Sequence, residues 1–443
     1  MRKTIHEIRD PIHVFIKLET PERTILDSRP FQRLRYIHQL AMTYLVYPGA
    51  THRRFEHSLG VMEVASRIFD VITNPQNILP EIADLLPEIS DEKSKSYWKQ
   101  VLRAAALCHD IGHLPFSHAA EKELLPEGWN HEKLTRELIQ SIEMRKIWNN
   151  LTPPLRTDDI IKLAVGPKEA SDLHFSDWEA ILSEVIVGDA FGADRIDYLI
   201  RDSYHTGVAY GRFDHYRLID TLRILPPPLA EHDSHSKEPM LGIEEGGLQS
   251  AEALLLARYF MYSQVYLHPV RRIYDIHLKD FLSKWKGGEK FPVDTEGHLS
   301  LTDNDILIAI KELSRCSDKN GFEHASRIYD RNHFKLLDKR NPEDLSINPI
   351  AFDLIYKETV ERFGKANIRL DSYNPTERTR VDFPVLGSNE RIISAYSLSN
   401  VLKNLPPLAV NCIFIEPAIQ KEATRWLKKN RHDIIKNKKK EES

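Results

Sequence analysis

The sequence has no long hydrophobic run and few cysteines. No apolar stretch approaches the roughly 20 residues that a membrane-spanning helix needs, and the first residues, MRKTIHEIRDPIHVF, lack the apolar segment of a secretory signal peptide. Cys108, Cys316 and Cys412 are odd in number and far apart, so the sequence suggests neither a disulfide framework nor a cysteine-based zinc site. These absences predict a cytoplasmic protein without a membrane segment.

Net charge is also small, and the chain contains no internal repeat or low-complexity tract. A formal net charge of −4 gives no bulk electrostatic reason to expect nucleic acid as the main partner. With 443 residues, of which 41% are hydrophobic and 28% charged, the composition is that of a globular protein. The length allows about two or three domains.

Helical periodicity dominates the first part of the chain. It predicts helices over residues 31–47, 57–73, 97–110, 117–125, 131–148, 177–202 and 248–268. Between the last two, RILPPPLAEHDSHSKEPMLGIEEGG predicts two short strands around a polar loop. After about residue 285, proline and aspartate become commoner, and runs such as LAVNCIFIEP suit strands. We therefore predict a mostly α fold, with a helical core and a small β-hairpin over 1–285 and a mixed α/β region with a charged tail over 286–443.

The stretch HRRFEHSLG leads into a predicted helix whose apolar stripe begins with a histidine. His57 is followed at helical spacing by Val61, Val64, Ala65 and Ile68. A buried imidazole needs a hydrogen bond, a carboxylate or a metal ion as its partner. At this position alone, a core histidine with a satisfied hydrogen bond and a metal ligand both remain open.

The segment LCHDIGHLPFSHAAEKE, residues 107–123, concentrates ionisable side chains among apolar ones. His109, Asp110, His113 and His118 would be costly to bury unless they had a function. Imidazole and carboxylate together suit a divalent ion of Mn, Fe, Zn or Mg. Adjacent residues project about 100° apart on a helix, so we expect His109 and Asp110 to reach a metal from a helix end.

GADRIDYLIRDSYHTG, residues 192–207, offers a further carboxylate. Asp194, Tyr198 and Asp202 share one helix face. Asp194 either completes the ligand set or serves as a helix N-cap or first-turn acid. Asp197 and Arg201 are spaced as an i, i+4 pair, which we interpret as a surface ion pair.

The order H…HD…D is typical of HD-domain phosphohydrolases, and the sequence around these residues indicates a narrower group within that family. FQRLRYIHQL, HRRFEHSLGV, LCHDIGHLPFSH, NHE and ADRIDYLIRDSYHTG resemble the deoxynucleoside triphosphate triphosphohydrolases with HD domains, over about residues 5–280. The resemblance implies hydrolysis of a dNTP to deoxynucleoside and inorganic triphosphate with a divalent metal ion, Mg, Mn, Fe or Zn. Some members carry a SAM domain; the match begins almost at the first residue, so we expect none here.

Roles for individual residues follow from this resemblance. It implies four metal ligands: His57, His109, Asp110 and Asp194. Acid–base and transition-state roles are implied for His113 and His131, with His118 near the α-phosphate. The implied substrate-binding residues are Arg54, Arg195 and Arg258 for the triphosphate, Gln39 and Asp202 for the 3′-hydroxyl, and Tyr198 and Tyr266 as a wall that excludes a 2′-hydroxyl. Relatives commonly have lysine at the position of Arg195.

A second nucleotide site is also implied, between subunits of a homo-oligomer, either a dimer or a tetramer. Its residues are Asp27, Gln32 and Arg35, and its ligand would be an activating nucleotide. The alternative is that Gln32 and Arg35 make ordinary hydrogen bonds on a helix surface. Two positions depart from the family, with His6 replacing a phosphate-contacting lysine and Val14 replacing the glycine after DPIH.

Other functions remain open from the sequence. Another HD-domain enzyme, such as a nucleotide phosphatase or a single-strand nuclease, would use the same metal ligands. A non-catalytic nucleotide sensor would use the same pocket without hydrolysis. The presence of every expected ligand argues against the sensor, and the composition does not indicate the broad basic channel of a nuclease.

Overall fold

The computed structural model describes residues 5–117, 121–228, 238–373 and 381–436. The chain divides into two compact units, which are each built from separate segments. Unit 1 comprises residues 1–261, 290–306 and 380–405, and unit 2 comprises residues 262–289, 307–379 and 406–443. The division into sequential domains at residue 285 stays a prediction of the sequence.

Helices make up most of both units, and the strands are short. The helices are α1 (Thr20–Leu26), α2 (Arg29–Arg33), α3 (Arg54–Ile72), α4 (Pro80–Leu85), α5 (Glu92–Cys108), α6 (Glu121–Leu124), α7 (His131–Ile139), α8 (Ile142–Asn150), α9 (Thr157–Glu169), α10 (Asp177–Val187), α11 (Ala193–Thr206), α12 (His215–Asp220), α13 (Leu248–Met261), α14 (Pro269–Trp285), α15 (Thr295–Leu299), α16 (Asp303–Leu313), α17 (Phe322–Tyr329), α18 (Pro342–Ile347), α19 (Ala351–Phe363), α20 (Ala395–Leu398), α21 (Asn400–Lys403) and α22 (Gln420–Lys436). The strands are β1 (Ile5–Asp10), β2 (Val14–Glu19), β3 (Leu222–Leu225), β4 (Met240–Glu244), β5 (Lys335–Lys339), β6 (Ile368–Tyr373), β7 (Pro384–Leu386), β8 (Ile392–Ser394) and β9 (Val410–Ile415). The predicted mostly α fold is confirmed. Across the described ranges, no helix combines the length and the apolar character needed to cross a bilayer.

The core of unit 1 forms where α3, α5, α9, α10 and α11 pack together. The stripe predicted on α3 is buried, with Val61, Val64, Ala65 and Ile68 fully inaccessible to solvent. Burial of one valine or isoleucine side chain contributes about 1.5–3 kcal/mol, so this stripe fixes the rotation of α3 in the core. His57, in the first turn of the same helix, is thereby turned inward.

A hairpin that no sequence pattern indicated precedes this core. β1 and β2 pair antiparallel, with Asp10 opposite Val14 at the turn. Asp10 Oδ1 accepts hydrogen bonds from the backbone amides of Ile12, at 2.8 Å, and His13, at 2.9 Å. Val14 has a φ of +66°, a conformation that glycine adopts freely and a β-branched residue adopts only with strain. This gives a physical reason for the glycine expected at this position in the family.

The helix predicted over residues 31–47 is wrong. α2 ends at Arg33, and only short 3₁₀ turns follow, at Leu34–Tyr36 and Thr43–Leu45. Between them the chain is held by a long-range contact, because the buried carboxylate of Asp303 accepts the His38 backbone amide at 2.7 Å. A tertiary hydrogen bond of this kind overrides weak helix propensity. The segment that contains Gln39 is therefore not an α-helix.

Two other long predicted helices are each divided in the structure. The segment 131–148 breaks at Ser141, whose hydroxyl caps α8, and the segment 177–202 breaks between α10 and α11 at Gly188–Gly192. A Cβ at Gly192 would lie 2.7 Å from the carbonyl oxygen of Gly188, so only glycine fits this tight connection. The second break matters for the site because it makes Asp194 a first-turn residue of α11.

Besides the β1–β2 hairpin, the described residues form two small sheets, one in each unit. The predicted hairpin is confirmed as β3 and β4, which pair antiparallel and continue into a four-stranded sheet of order β3-β4-β7-β8 in unit 1. Unit 2 has a three-stranded sheet of order β5-β9-β6, whose central strand β9 is the predicted VNCIFI run. Ile413 and Ile415 of β9 pack in a buried cluster with residues of α19 and α22. The mixed α/β character predicted for the C-terminal part is therefore confirmed.

Candidate active site

The four predicted metal ligands approach one another from three segments of unit 1. Ligand atoms of His57, His109 and Asp110 all lie within 4.8 Å of one another, and Asp194 contacts both histidines. His57 lies in the first turn of α3, and Asp194 lies in the first turn of α11. His109 is the C-cap of α5, and Asp110 follows it in the turn. The expected helix end is thus present, although α5 stops at Cys108, before Gly112 is reached.

Distances between these groups fit a shared ion. His57 Nε2 lies 3.0 Å from Asp194 Oδ1 and 3.7 Å from Asp110 Oδ2. His109 Nε2 lies 3.5 Å from Asp110 Oδ1 and 3.7 Å from Asp194 Oδ1. Two ligand atoms bound to one ion at about 2.1 Å are roughly 3 to 3.5 Å apart. Small side-chain shifts would therefore let the four groups bind one divalent cation.

Hydrogen bonds on the far side of each ring orient both histidines. His57 Nδ1 donates to Asp197 Oδ2 at 2.8 Å, and His109 Nδ1 donates to the carbonyl oxygen of Ala106 at 2.8 Å. Each ring therefore directs its Nε2 atom to the common point, as metal-binding histidines do. His109 Nε2 is buried and has no hydrogen-bond partner within the described residues. A buried nitrogen of this kind fits a metal ligand.

Electrostatics favour positive charge at this point. Burial opposes protonation of His57, but hydrogen bonds to Asp194 and Asp197 outweigh it and raise the pKa of His57 to about 10. Burial likewise opposes protonation of His109, and the carboxylate of Asp110 raises the pKa of this imidazole above its usual value. Either protons or a divalent cation can balance the buried carboxylates, and the site therefore attracts a cation.

The two interpretations of Asp194 turn out to be compatible. It is a first-turn acid of α11, whose N-cap is Gly192, and its carboxylate also contacts His57. Burial would raise the pKa of Asp194, but the nearby imidazoles of His109 and His57 hold it below the usual range. With 37% of its side chain exposed, Asp194 is also accessible to solvent.

Asp197 and Arg201 were misinterpreted as a surface ion pair. The i, i+4 pair exists, with Arg201 Nε donating to Asp197 Oδ2 at 2.8 Å and Nη2 donating to Oδ1 at 3.0 Å. Both side chains are fully buried. Because Asp197 also accepts the hydrogen bond from His57, it belongs to the support of the candidate metal centre. The spacing indicated the pair but carried no signal for its burial.

Arg54, the predicted phosphate-binding residue of α3, lies beside the candidate ligands. Its guanidinium forms an ion pair with Asp110 and donates to Ser117 Oγ from Nε at 3.1 Å and from Nη2 at 2.8 Å. Its positive charge outweighs the effect of burial and holds the pKa of Asp110 well below the usual range. Ser117 has a φ of +57°, an uncommon conformation that often marks functional loops. No sequence pattern had singled out Ser117.

His113 and His131 stack on each other but have opposite protonation preferences. Their ring centroids are 4.0 Å apart. Burial, reinforced by Arg54 and His131, holds the pKa of His113 well below its usual value, so this ring is neutral. Burial also opposes the charge on His131, but its Nδ1 atom donates to Glu121 Oε1 at 2.9 Å and this bond raises the pKa of His131. Glu121 was missed because a partner ten residues away follows no periodic pattern. His118 lies outside the described residues.

Close packing of α7 against the turn after Asp110 positions His131. Thr135 Oγ1 accepts from the Gly112 amide at 3.1 Å and donates to the His109 carbonyl oxygen at 3.2 Å. A Cβ at Gly112 would lie 2.2 Å from the Thr135 nitrogen and 2.3 Å from the His131 carbonyl oxygen. Gly112 is therefore needed for the approach of α7 rather than for ending α5.

The predicted sugar-binding residues Gln39 and Asp202 are connected through His52. His52 Nε2 donates to Asp202 Oδ1 at 2.7 Å, and the backbone N–H of Gln39 donates to the His52 carbonyl oxygen at 3.1 Å. The His52 ring stacks on His205 with centroids 4.3 Å apart. Gln39 Oε1 is buried and has no hydrogen bond in the part of the chain that the structure describes. An acceptor of this kind suits a ligand hydroxyl.

Arg195 and Tyr198 lie one helical turn apart near the start of α11. Arg195 Nη1 donates to the Gly188 carbonyl oxygen at 3.0 Å. Burial opposes its charge, but the neighbouring Tyr198 and Asp189 raise the pKa of the guanidinium. Both predicted substrate-binding side chains are thus on the same helix as Asp194.

The remaining predicted substrate residues belong to different units. Arg258 is half-buried near the end of α13 in unit 1. Tyr266 belongs to unit 2, in a five-residue π-helical turn, where its ring centroid is 5.0 Å from that of Tyr262. The π-turn interrupts the single helical stripe that the spacing of Arg258, Tyr262 and Tyr266 had indicated, and such turns often occur at functional sites.

Asp27, Gln32 and Arg35 make the local contacts expected of a helix surface. Arg35 Nε donates to Gln32 Oε1 at 2.9 Å, and its guanidinium lies 3.5 Å above the ring of Phe55. Asp27 accepts from Arg23 Nε at 3.4 Å. Asp27 and Arg35 are exposed, so their charges remain accessible to a ligand.

A helical core that brings histidine, histidine–aspartate and aspartate together in this order defines an HD-domain protein. Residues 54–173 match the family model described as HD domain, and residues 213–362 match that of an HD associated region. The chain belongs to the HD-domain phosphohydrolase family, among the proteins that resemble the deoxynucleoside triphosphate triphosphohydrolases. The predicted family is confirmed.

Relatives occur in several organisms. A solved structure of a hypothetical protein from Aquifex aeolicus is 32% identical and has a TM-score of 0.76, covering 96% of this chain and 100% of its own. An uncharacterized protein of Methanocaldococcus jannaschii is 40% identical over 272 residues, which is 61% of this chain and 48% of the relative. The human protein named deoxynucleoside triphosphate triphosphohydrolase SAMHD1 is 30% identical over 403 residues, 83% of this chain and 60% of the relative. The chain spans about half to three-fifths of the length of these two curated relatives.

Proposed function

We propose that this chain hydrolyses deoxynucleoside triphosphates to deoxynucleoside and inorganic triphosphate. The observation that carries the proposal is the meeting of His57, His109, Asp110 and Asp194 at ligand-to-ligand distances of 3.0–3.7 Å. The human relative that is named for this activity supports the substrate class.

The mixed donor set of imidazole and carboxylate fits Mn²⁺, Fe²⁺, Zn²⁺ or Mg²⁺. A bound divalent cation supplies Lewis acidity to the phosphoryl group and to water. Arg54 lies beside this point and can exchange part of its contact with Asp110 and Ser117 for phosphate oxygens. Arg195 and Arg258 would bind the rest of the triphosphate, which directs hydrolysis to the α-phosphorus.

His131 is suited to donate a proton to the departing 5′-oxygen. Its bond to Glu121 favours the imidazolium form, as a general acid near neutral pH requires. The stacked His113, which is neutral, donates from Nε2 to Asp110 Oδ1 at 3.1 Å and thereby orients that carboxylate. Neighbouring groups with opposite protonation states commonly divide acid and orienting roles in this way.

Recognition of deoxyribose would involve the Gln39 and Asp202 side chains and a tyrosine wall. Gln39 Oε1 is a buried acceptor, and Asp202 is held by His52, so both are preorganised for the 3′-hydroxyl. Tyr198 and Tyr266 would exclude a 2′-hydroxyl. Steric exclusion of an added oxygen discriminates strongly between otherwise similar ligands. We therefore expect the wild type to hydrolyse dATP faster than ATP. Tyr266→Gly should narrow this difference, although the loss of stacking should slow both reactions.

Activation by a nucleotide at Asp27, Gln32 and Arg35 is the regulatory part of the proposal. If this site forms between subunits, the nucleotide stabilises the homo-oligomer by mass action. One dNTP should then stimulate hydrolysis of another, and Arg35→Ala should remove the stimulation while the metal content stays unchanged. Hyperbolic kinetics without cross-stimulation or a change in oligomer mass would contradict this part.

Product analysis tests the proposed activity. The protein is incubated with each dNTP, with ribonucleotides and with single-stranded DNA, and the products are separated by anion-exchange chromatography. We expect deoxynucleoside and intact triphosphate from dNTPs alone. Orthophosphate with nucleoside di- or monophosphates would indicate a phosphatase, cleaved DNA would indicate a nuclease, and no turnover with tight nucleotide binding would indicate a sensor.

Metal dependence is tested with a matched pair of aspartate variants. Asp110→Ala should abolish turnover and bound metal. Asp159→Ala removes another buried carboxylate, which accepts from Tyr97 Oη at 2.6 Å and lies on α9, a helix that carries none of the candidate ligands. This control should lower thermal stability while turnover and metal content are retained. Near-normal activity of Asp110→Ala would exclude the proposed site.

A further inference from the structure

The turn of the N-terminal hairpin is joined to the candidate metal centre by buried hydrogen bonds. Asp10 Oδ2 accepts from Arg201 Nη1 at 2.8 Å, and His13 Nε2 donates to Asp197 Oδ1 at 2.8 Å. Asp197 also accepts from His57 Nδ1 at 2.8 Å. All five residues belong to unit 1. A continuous path of side chains therefore leads from the hairpin turn to a candidate metal ligand.

Asp197 is the centre of this network. Its two oxygens accept from Arg201 Nε and Nη2, from His13 Nε2 and from His57 Nδ1. The carboxylate cannot rotate without loss of several charge-assisted hydrogen bonds, which are about twice as strong as neutral ones. Because His57 Nδ1 is bound to this carboxylate, the direction of His57 Nε2 depends on where Asp197 is held.

Asp10 connects the shape of the turn to the network. One of its oxygens accepts the backbone amides of Ile12 and His13, and the other accepts from Arg201. The same carboxylate therefore shapes the turn that presents His13 and anchors that turn to the guanidinium. A turn that is not docked would lose both contacts together.

A glycine in α3 makes room for the network. Gly60 lies one turn after His57, and a Cβ there would be 1.9 Å from Asp197 Oδ1 and 2.5 Å from Arg201 Nη2. Glycine inside a helix costs about 1 kcal/mol relative to alanine. The close approach of buried charges to α3 is a physical reason to retain it.

We propose that Asp10 and His13 are positioning residues for the metal centre: the docked hairpin turn holds Asp197, and Asp197 directs His57 Nε2 at the ion. The inference rests on the metal site of the proposed function. Loss of a group that supports a metal-binding histidine typically lowers metal affinity about 10- to 100-fold. His13 is separated from Asp197 by 184 residues, so the hairpin would control a centre to which it contributes no ligand.

Two amide substitutions at His13 separate positioning from general stability. His13→Gln can place an amide donor near the position of Nε2, whereas the shorter His13→Asn cannot reach Asp197. Mn²⁺ affinity is measured by calorimetric titration of the metal-depleted protein. We expect His13→Gln to bind Mn²⁺ within about threefold of the wild type and His13→Asn to bind it about 10- to 100-fold more weakly. Wild-type affinity in His13→Asn would overturn the inference.

Asp159→Ala is the control for destabilisation in the same experiment. It removes a buried carboxylate hydrogen bond between α5 and α9, so its melting temperature should fall while its Mn²⁺ affinity remains that of the wild type. If this control loses Mn²⁺ affinity to the same extent as His13→Asn, the loss reflects stability alone and the inference is overturned.

The wild-type protein provides a test that needs no variant to fold. Coupling between hairpin and metal must be reciprocal, so saturation with Mn²⁺ should slow hydrogen exchange of the Ile12 and His13 amides at least about tenfold. The β3–β4 hairpin is the internal control and should change less. Unchanged exchange at Ile12 and His13 in protein that does bind Mn²⁺ would overturn the inference. Absence of Mn²⁺ binding by the wild type would instead overturn the proposed metal centre.

Discussion

Among the arginine–aspartate pairs with i, i+4 spacing in the described residues, two have opposite surroundings. Arg23 Nε and Asp27 Oδ2 are 3.4 Å apart, with 54% and 62% of the side chains exposed. Asp197 and Arg201 are fully buried and joined by two hydrogen bonds, of which the shorter is 2.8 Å. Residue type and spacing are alike, so the difference comes from what packs around each pair.

Burial changes what such a pair does. An exposed pair contributes about 0–1 kcal/mol because water screens it and side-chain entropy opposes it. A buried pair pays a large desolvation cost, and apolar replacements of equal volume are often no less stable. The Asp197–Arg201 pair is therefore explained better by the direction it gives to His57 than by the stability it adds to the fold.

Replacement of Arg201 should cause the largest loss of stability. Arg201→Met leaves Asp10 and Asp197 buried without their main cation, and loss of one member of a buried pair costs about 3–5 kcal/mol. Denaturant unfolding monitored by circular dichroism measures this change. Arg23→Met is the matched variant of the exposed pair. Equal losses of unfolding free energy in the two variants would contradict the distinction between the buried and the exposed pair.

Gly60→Ala tests the space that the buried pair occupies. Alanine is the better helix former by about 1 kcal/mol, but the clash with Asp197 should make the variant about 1–3 kcal/mol less stable than the wild type. The control is Gly246→Ala, where a Cβ would meet only the guanidinium end of the exposed Arg217 side chain. A Gly60→Ala protein that is more stable than the wild type would mean that the Asp197–Arg201 pair can shift to accommodate the added methyl group.

Glu121→Gln extends the comparison to pH, because its carboxylate supports the charge on His131. Among the described residues, the groups near this imidazole are Glu121, Glu132, Asp110 and the stacked His113. Burial opposes the imidazolium, but Glu121 raises the pKa of His131, so the protonated form is lost only as pH rises through that raised value. Glu121→Gln should lower this pKa and move the alkaline limb of kcat/KM to lower pH.

The pH profile of the wild type serves as the reference for that prediction, with Glu132→Gln as a variant that should move the limb less. A Glu121→Gln profile with an unchanged or higher alkaline limb would remove His131 from the role of general acid. The same linkage makes the stability contributed by this pair present below the ordinary histidine pKa and lost as pH rises through the raised one.

Val14→Gly should stabilise the hairpin turn next to the buried pair. A left-handed conformation costs an L-residue about 1–2 kcal/mol, and the greater freedom of glycine in the unfolded chain offsets about 0.5–1 kcal/mol of the gain. Because 54% of Val14 is exposed, little apolar burial is lost. We expect the free energy of unfolding, measured with denaturant, to rise by less than about 1 kcal/mol. Val14→Asn should give an intermediate value. A glycine variant that is less stable than the wild type would contradict this explanation.

Arg23→Ala should have the smallest effect. The exposed pair with Asp27 is worth at most a few tenths of a kcal/mol, and 0.5 M salt should remove even that difference in unfolding free energy. A loss of unfolding free energy as large as that of Arg201→Met would mean that Asp27 is buried in the functional assembly. Such a result would indicate a subunit contact at this surface.

The part of the site that could be predicted lies at helix ends with local signals. The apolar stripe of α3 indicated that His57 faces inward, and adjacent His109 and Asp110 indicated a helix end. Ser117 and Glu121 could not be predicted, because each acts through a contact that has no periodic sequence signature. The helix wrongly predicted over 31–47 failed for the same reason, since a distant carboxylate holds that segment.

By itself, the sequence determined the helical class, the family and the ligand order H…HD…D, because periodicity and contiguous motifs are properties of neighbouring residues. Only the tertiary structure decided that Asp194 faces the candidate ion while Asp197, three residues later, supports His57 from behind. It also decided that His13 reaches across 184 residues to that support. Burial and hydrogen-bond partners depend on segments brought together by folding, and spacing along one helix does not encode them.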